Sequence, residues 1–142
     1  MKLPIEKFYD EMFKEDEVGY ELKDSGERIE YNSGALRDIT TNKGRFDLIS
    51  PIFLKRLAVV CEKGGRKYSD RNWEKGMPLM RFIDSAERHI NDHKEGKRDE
   101  DHIVQAAWNL HCFCHTLEMI KRGILPKELD DRPNYMKEKE CI

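Results

Sequence analysis

Apolar residues recur at helical spacing in four stretches of this chain, and turn formers separate the stretches. In residues 4–16, Ile5, Phe8, Tyr9, Met12 and Phe13 make one stripe, and Glu6, Asp10, Glu11 and Lys14 fill the opposite face. Residues 17–34 lose that period. Tyr20 and Leu22 precede Asp24-Ser25-Gly26, and Ile29 and Tyr31 follow it, the pattern of a hairpin or a packed loop. From Gly34 to Asp47, turn formers mixed with Arg37, Lys43 and Arg45 predict a loop holding at most one helical turn.

The second helix opens at Ser50, a good N-cap, with Pro51 at the first helical position, where a missing N–H costs nothing. Phe53, Leu54, Leu57, Ala58, Val60 and Cys61 carry it to Gly64-Gly65, which are expected to end it. An eleven-residue polar loop, 66–76, follows, longer than the ~2–8 residues usual between helices. Pro78 starts a third helix reaching about His93, with Leu79, Phe82, Ile83, Ala86 and Ile90 as its buried stripe. Gly96 stops it. Asp99-Glu100-Asp101 suit the N-terminus of a fourth helix, where the macrodipole favours negative charge. That helix runs to about Arg122, and Ile103, Ala106, Ala107, Leu110, Phe113, Cys114, Leu117 and Ile120 form its expected core face. Pro126 and Leu129 suggest one more short helix. The short link between the third and fourth helices makes them antiparallel neighbours. The expected fold is all-α: a bundle of about four main helices around a central antiparallel pair, in one domain over residues 1–130, with a polar tail at 131–142.

Composition narrows the class without choosing a function. The 142 residues suit one domain, and 26 Lys+Arg against 28 Asp+Glu give a formal charge of −2. That balance argues against binding duplex nucleic acid through a basic surface. No apolar run approaches the ~18 residues of a membrane span, so no membrane partner is expected. The N-terminal residues lack the apolar core of a signal peptide, which points to the cytoplasm. There the four cysteines, none in a CxxC pair, stay as thiols.

Polar side chains cluster in four places. On the third helix Asp84, Glu87, Arg88, Asn91 and Asp92 share a broad face, and on the fourth Asp101, His102, Gln105 and Asn109 do the same. Facing each other, these could present oxygen and imidazole ligands to an ion that in turn binds phosphates. The alternative is a solvated face with i,i+4 pairs such as Asp84–Arg88. The loop from Lys67 and Tyr68 through Asn72, Trp73 and Gly76 mixes cations with aromatics able to stack on a base. Taken alone it reads as an ordered loop anchored by its two rings. Arg45 in Gly44-Arg45-Phe46-Asp47 is a weak signal, with a pairing to Asp47 as the simpler account. His111-Cys112-Phe113-Cys114-His115 looks like a zinc cluster, but on a helix Cys112 and Cys114 point ~200° apart. No cysteine has an evident activating neighbour in sequence.

Taken in order, three segments resemble the phage dATP/dGTP diphosphohydrolase N-terminal domain family, relatives of MazG-like nucleotide pyrophosphohydrolases. They are Gly44-Arg45-Phe46-Asp47-Leu48 with the Ser50-Pro51 helix; Lys67-Tyr68 with Arg71-Asn72-Trp73-Glu74-Lys75-Gly76; and Asp84-Ser85-Ala86-Glu87-Arg88-His89 followed by Glu100-Asp101-His102 and Ala106-Ala107-Trp108-Asn109. The resemblance covers about residues 20–130. It implies an all-α, MazG-like enzyme that hydrolyses a purine deoxynucleoside triphosphate, dATP or dGTP, to the monophosphate and pyrophosphate with Mg²⁺ or Mn²⁺. It also implies assembly as a homo-oligomer, dimer or tetramer, in the cytoplasm, the host's if the gene is viral. The MazG-like carboxylates come from an ExxE helix and an ExxD helix. Here Asp84-x-x-Glu87 stands for the first, and the second offers Asp101-His102 and then Gln105 and Asn109, with no second acid at the ExxD spacing. The resemblance therefore assigns metal binding and catalysis to Asp84, Glu87, Asp101 and His102. It assigns substrate binding to Arg45, Lys67, Tyr68, Asn72, Trp73, Arg88 and Asn109. Arg88 and Lys67 would hold outlying phosphates, and Tyr68 or Trp73 would stack on the purine.

Overall fold

A computed structural model describes residues 24–136. The expected first helix, 4–16, and the last residues of the expected tail lie outside that range. The chain divides into two compact units, Met1–Arg45 and Phe46–Ile142.

In the first unit the described residues form a small antiparallel hairpin of β1 (Arg28–Glu30) and β2 (Leu36–Asp38). Arg28 faces Asp38 in the register and pairs with it at 3.1 Å, an opposite-charge cross-strand contact. The turn is at 31–35, closed by bonds from Tyr31 N–H to the Ala35 carbonyl and from Gly34 N–H to the Tyr31 carbonyl. This corrects one expectation: part of the expected 34–47 loop is strand. Tyr20 and Leu22, expected on the near side of Asp24-Ser25-Gly26, lie outside the described residues. Gly34, at φ 83°, supplies the left-handed residue the turn needs. The protein is thus mostly helical with a two-stranded sheet rather than all-α.

The second unit holds the helices α1 (Pro51–Tyr68), α2 (Leu79–Lys94) and α3 (His102–Lys121), with short 3-10 turns at Phe46–Leu48, Asn72–Lys75 and Lys127–Leu129. The Ser50 side chain caps α1 by accepting from Phe53 N–H at 3.3 Å, with Pro51 next to it, as the sequence predicts. Gly64 and Gly65, however, do not end α1. The helix continues through them to Tyr68, and Gly65 serves to leave room: a Cβ there would lie 2.6 Å from the Asp70 carboxylate, which folds back over it. The expected 66–76 loop is correspondingly shorter. Pro78 precedes α2, and its capping acceptor comes from far along the chain. The Asp131 carboxylate accepts from Met80 N–H at 2.9 Å, so a residue read as tail closes this helix end.

α2 and α3 pack along each other in antiparallel sense. Near one end His89 meets His102, and further along Phe82 and Ser85 share a cavity wall with Trp108 and Asn109. The core is Leu79, Phe82 and Ala86 from α2 with Val104, Ala106, Cys112 and Ile120 from α3. The expected face of α3 holds at Ala106 and Ile120 and is displaced elsewhere. His102, Asn109 and Thr116 are buried, while Ile103 and Leu110 are each 44 % exposed and Cys114 is exposed. α3 carries apolar residues nearly all round, so periodicity could not choose its inner side. Close approach to α2 chose the side with smaller and polar residues. α1 leans on α3 and has no fully buried residue; Ile52 is 72 % exposed. Among the described residues, no helix is long and apolar enough to cross a membrane.

Candidate functional site

The end of α1, the 3-10 turn after it and the facing sides of α2 and α3 enclose a cavity of about 850 Å³. That is within the ~300–1,000 Å³ of small-molecule sites. Four sequence-predicted residues meet in its wall: Tyr68, Asn72, Trp73 and Asn109. Charged groups join them, Arg71 and Arg81 as cations and Glu62, Asp70 and Glu74 as carboxylates. The sequence reading had not singled out Glu62, Asp70 or Arg81. Their signal was weak because they come from three separate segments.

The turn that brings these groups together is backbone-strained. Ser69 (φ 98°) and Arg71 (φ 57°) both take left-handed conformations without being glycine, and both line the cavity. Such conformations persist where surrounding structure over-determines them and concentrate at functional sites. Arg71 holds Glu74 at 2.8 Å within the same turn. Gly76 (φ 91°) ends it, with no space for a side chain.

Trp73 is clamped by rings. Its indole lies 4.9 Å from both His111 and His115 and 6.5 Å, edge-on, from Trp108. The two histidines of the expected false zinc cluster therefore serve to seat Trp73. Burial moves the His111 imidazole below its ordinary range, favouring the neutral ring that packs well against an indole. Cys112 is fully buried, and burial pushes its thiol up to about 12, so it is an inert packing residue. Tyr68 is different: 61 % exposed, with the Lys67 ammonium 5.0 Å from its ring centroid, it offers an open face at the cavity edge.

The remaining expected residues lie elsewhere. Arg45 is the last residue of the first unit. Asp84 is paired with Arg88, one turn along α2, and at 3.4 Å with Arg81; all three are half-exposed or more. Glu87 is exposed on α2. Asp101 caps α3 by accepting from Val104 N–H at 3.4 Å, and takes Arg56 of α1 in a two-point contact at 2.8 and 2.6 Å. The Arg56 guanidinium holds the Asp101 carboxyl below the usual carboxylate range. Asp101 is thereby a structural link between two helices.

A different trio gathers at the α2–α3 turn. The ligand atoms of His89, Glu100 and His102 all lie within 4.8 Å of one another. The His89 and His102 Nδ1 atoms are 3.0 Å apart, and His102 Nε2 is 3.1 Å from the Asp99 carboxylate. Burial, ahead of the other influences, lowers the His89 imidazole from its ordinary value. Of the four residues that the resemblance assigned to metal, His102 alone belongs to this trio. Among the described residues, Asp84, Glu87 and Asp101 do not converge into a three-carboxylate set of the kind a hard cation takes.

A helical domain with a strained, charged, aromatic-lined cavity is the framework of a small-molecule site. The chain belongs to the family described as dATP/dGTP diphosphohydrolase, N-terminal, whose model matches residues 33–132. Neither curated proteins nor solved structures give a match.

Proposed function

We propose that the protein hydrolyses purine deoxynucleoside triphosphates, dATP or dGTP, to the monophosphate and pyrophosphate in the cavity at the end of α1. The observation that carries the reading is the meeting of Tyr68, Asn72, Trp73 and Asn109 with Arg71 and Arg81 in one cavity, in a chain of this family. Tyr68 offers the open ring for the base. Asn72 and Asn109 supply paired donors and acceptors for its edge. Arg71 and Arg81 take phosphate oxygens through charge-assisted bonds, with Lys67 and Arg88 further out. Glu62, Asp70 and Glu74 are the cavity's carboxylates, the acceptors for a proton from attacking water. Mg²⁺ or Mn²⁺, the ions implied by the resemblance, would arrive with the nucleotide and neutralise charge developing on its phosphates. The described carboxylates do not assemble a three-ligand site for such an ion, so the chain's own part is to bind, orient and accept the proton.

α1 leaves Ile52, Leu54 and Val59 exposed, and a second copy of the chain would cover them. Light scattering at working concentration is expected to show a dimer or tetramer.

A second reading has its own support. Asp84 and Asp101 are both engaged by arginines, which suits a nucleotide-binding module without turnover. Incubating the protein with each dNTP and Mg²⁺ or Mn²⁺, then resolving products by anion exchange, separates the two. Monophosphate with pyrophosphate is expected. Nucleotide-induced thermal stabilisation without product selects the binding module, and diphosphate with orthophosphate refutes the proposed bond cleavage.

A further inference from the structure

The geometry points to a binding site for a divalent transition ion of the zinc type, made by His89, Glu100 and His102 at the α2–α3 turn. None of the three lines the nucleotide cavity. The ion would join the two central helices where their chain reverses.

Four features support it. The donors come from three places, the end of α2, the turn and the start of α3, so their convergence is a product of tertiary packing rather than of one helix face. Their spacing suits a small ion: with Zn–N bonds of ~2.0–2.1 Å, two ligands of a tetrahedral ion are ~3.3 Å apart. The two Nδ1 atoms stand at 3.0 Å, so a few tenths of an ångström of side-chain movement opens the site. His102 is held for the task. It is 3 % exposed, and its Nε2–H can donate to the Asp99 carboxylate at 3.1 Å, which leaves Nδ1 with its lone pair toward His89. A carboxylate on the far nitrogen of a ligating imidazole is a recurrent orienting device in metal sites. Finally, Glu100 is exposed and gives an ion a path from solvent to the buried imidazoles.

The donor set chooses the ion class. Two imidazoles and one carboxylate suit Zn²⁺, Co²⁺ or Ni²⁺, whereas Mg²⁺ takes oxygen ligands and keeps its waters. Three protein ligands leave a fourth position for water. The competing account is a plain hydrogen bond, in which His89 Nδ1–H donates to His102 Nδ1. That bond needs no Glu100.

The test uses tag-free, metal-stripped full chain without nucleotide, so it reads independently of turnover. Titration with Zn²⁺ by calorimetry and with Co²⁺ by visible absorption is expected to give one ion per chain, four-coordinate Co²⁺ bands and a raised melting temperature. Glu100→Gln, at an exposed position, and Asp99→Asn are each expected to weaken binding by about 10–100-fold. The double variant His111→Ala/His115→Ala should bind like the parent, which excludes those rings as the source. Because His102 is buried, its substitution is not needed; His89→Gln supplies the imidazole test. Zn²⁺ binding unchanged by Glu100→Gln and His89→Gln, or no binding at micromolar ion, overturns the proposal.

Discussion

Gly76 combines a demanding backbone conformation with close packing at the end of the cavity-lining turn, and replacing it with alanine tests both. Its φ of 91° with ψ of 143° is a conformation that side chains rarely adopt. Holding an alanine there costs about 1–3 kcal/mol. The new Cβ would also stand 2.7 Å from Leu129 Cδ1, with two further contacts to Leu125 at 3.1 and 3.3 Å. Carbon atoms prefer ~3.5–4.0 Å, so Leu129 must move, and overpacking of this kind costs about 1–3 kcal/mol. The two effects together predict a loss of about 2–6 kcal/mol, a large part of the ~5–15 kcal/mol of a typical domain. Urea unfolding followed by circular dichroism would measure it. A cycle with Leu129→Ala separates the contributions. In the Leu129→Ala background the glycine substitution should retain its backbone cost and lose most of its packing cost. Gly76→Ala also displaces the Asn72–Lys75 turn, so the variant, where folded, should bind nucleotide more weakly. A loss under about 0.5 kcal/mol, the ordinary range for surface changes, would refute the close contact and the backbone strain together.

Three other outcomes are expected. Thr116 is fully buried and its hydroxyl has no partner among the described residues, so Thr116→Val should stabilise by about 1 kcal/mol; a lower urea midpoint would contradict this. The Asp101 carboxyl is held low by Arg56, so the pair stabilises above the ordinary carboxylate pKa of ~3.9, and that contribution disappears as pH falls through the lower folded value. The gap in urea midpoint between the parent and Arg56→Ala should therefore be open at neutral pH and close in acid below the ordinary range, and a gap constant with pH would exclude the ion pair as its source. Arg81→Ala, at an exposed cavity position, should leave the melting temperature nearly unchanged while weakening dNTP binding about tenfold by calorimetry, as expected for one lost charge-assisted bond. Unchanged binding would take Arg81 out of the proposed phosphate site.

Much of this protein is written locally. Ser50-Pro51 starts a helix whether or not anything packs on it, because the cap and the fixed φ act within one turn. Gly96 and Gly123, both at positive φ, stop the central helices for equally local reasons. The ordered motifs around Arg45, Trp73 and Asn109 marked the family from sequence alone, and four of the candidate binding residues, Tyr68, Asn72, Trp73 and Asn109, line one cavity. The rest depended on neighbours far along the chain. α3 is apolar on almost every side, so only contact with α2 determined that His102, Asn109 and Thr116 face inward. Gly64-Gly65 look like a stop because glycine permits one; the Asp70 carboxylate lying over Gly65 makes that glycine a matter of space inside a continuing helix. Asp131 reads as tail until it is found capping α2, across a separation of fifty-one residues. His89, Glu100 and His102 are spread over three elements, whereas the family resemblance, through its ExxE spacing, favoured Asp84, Glu87 and Asp101 beside His102. Periodicity reports which residues can share a face of one helix; which faces meet is set by packing between helices, and that is where the imidazoles and the cavity were decided.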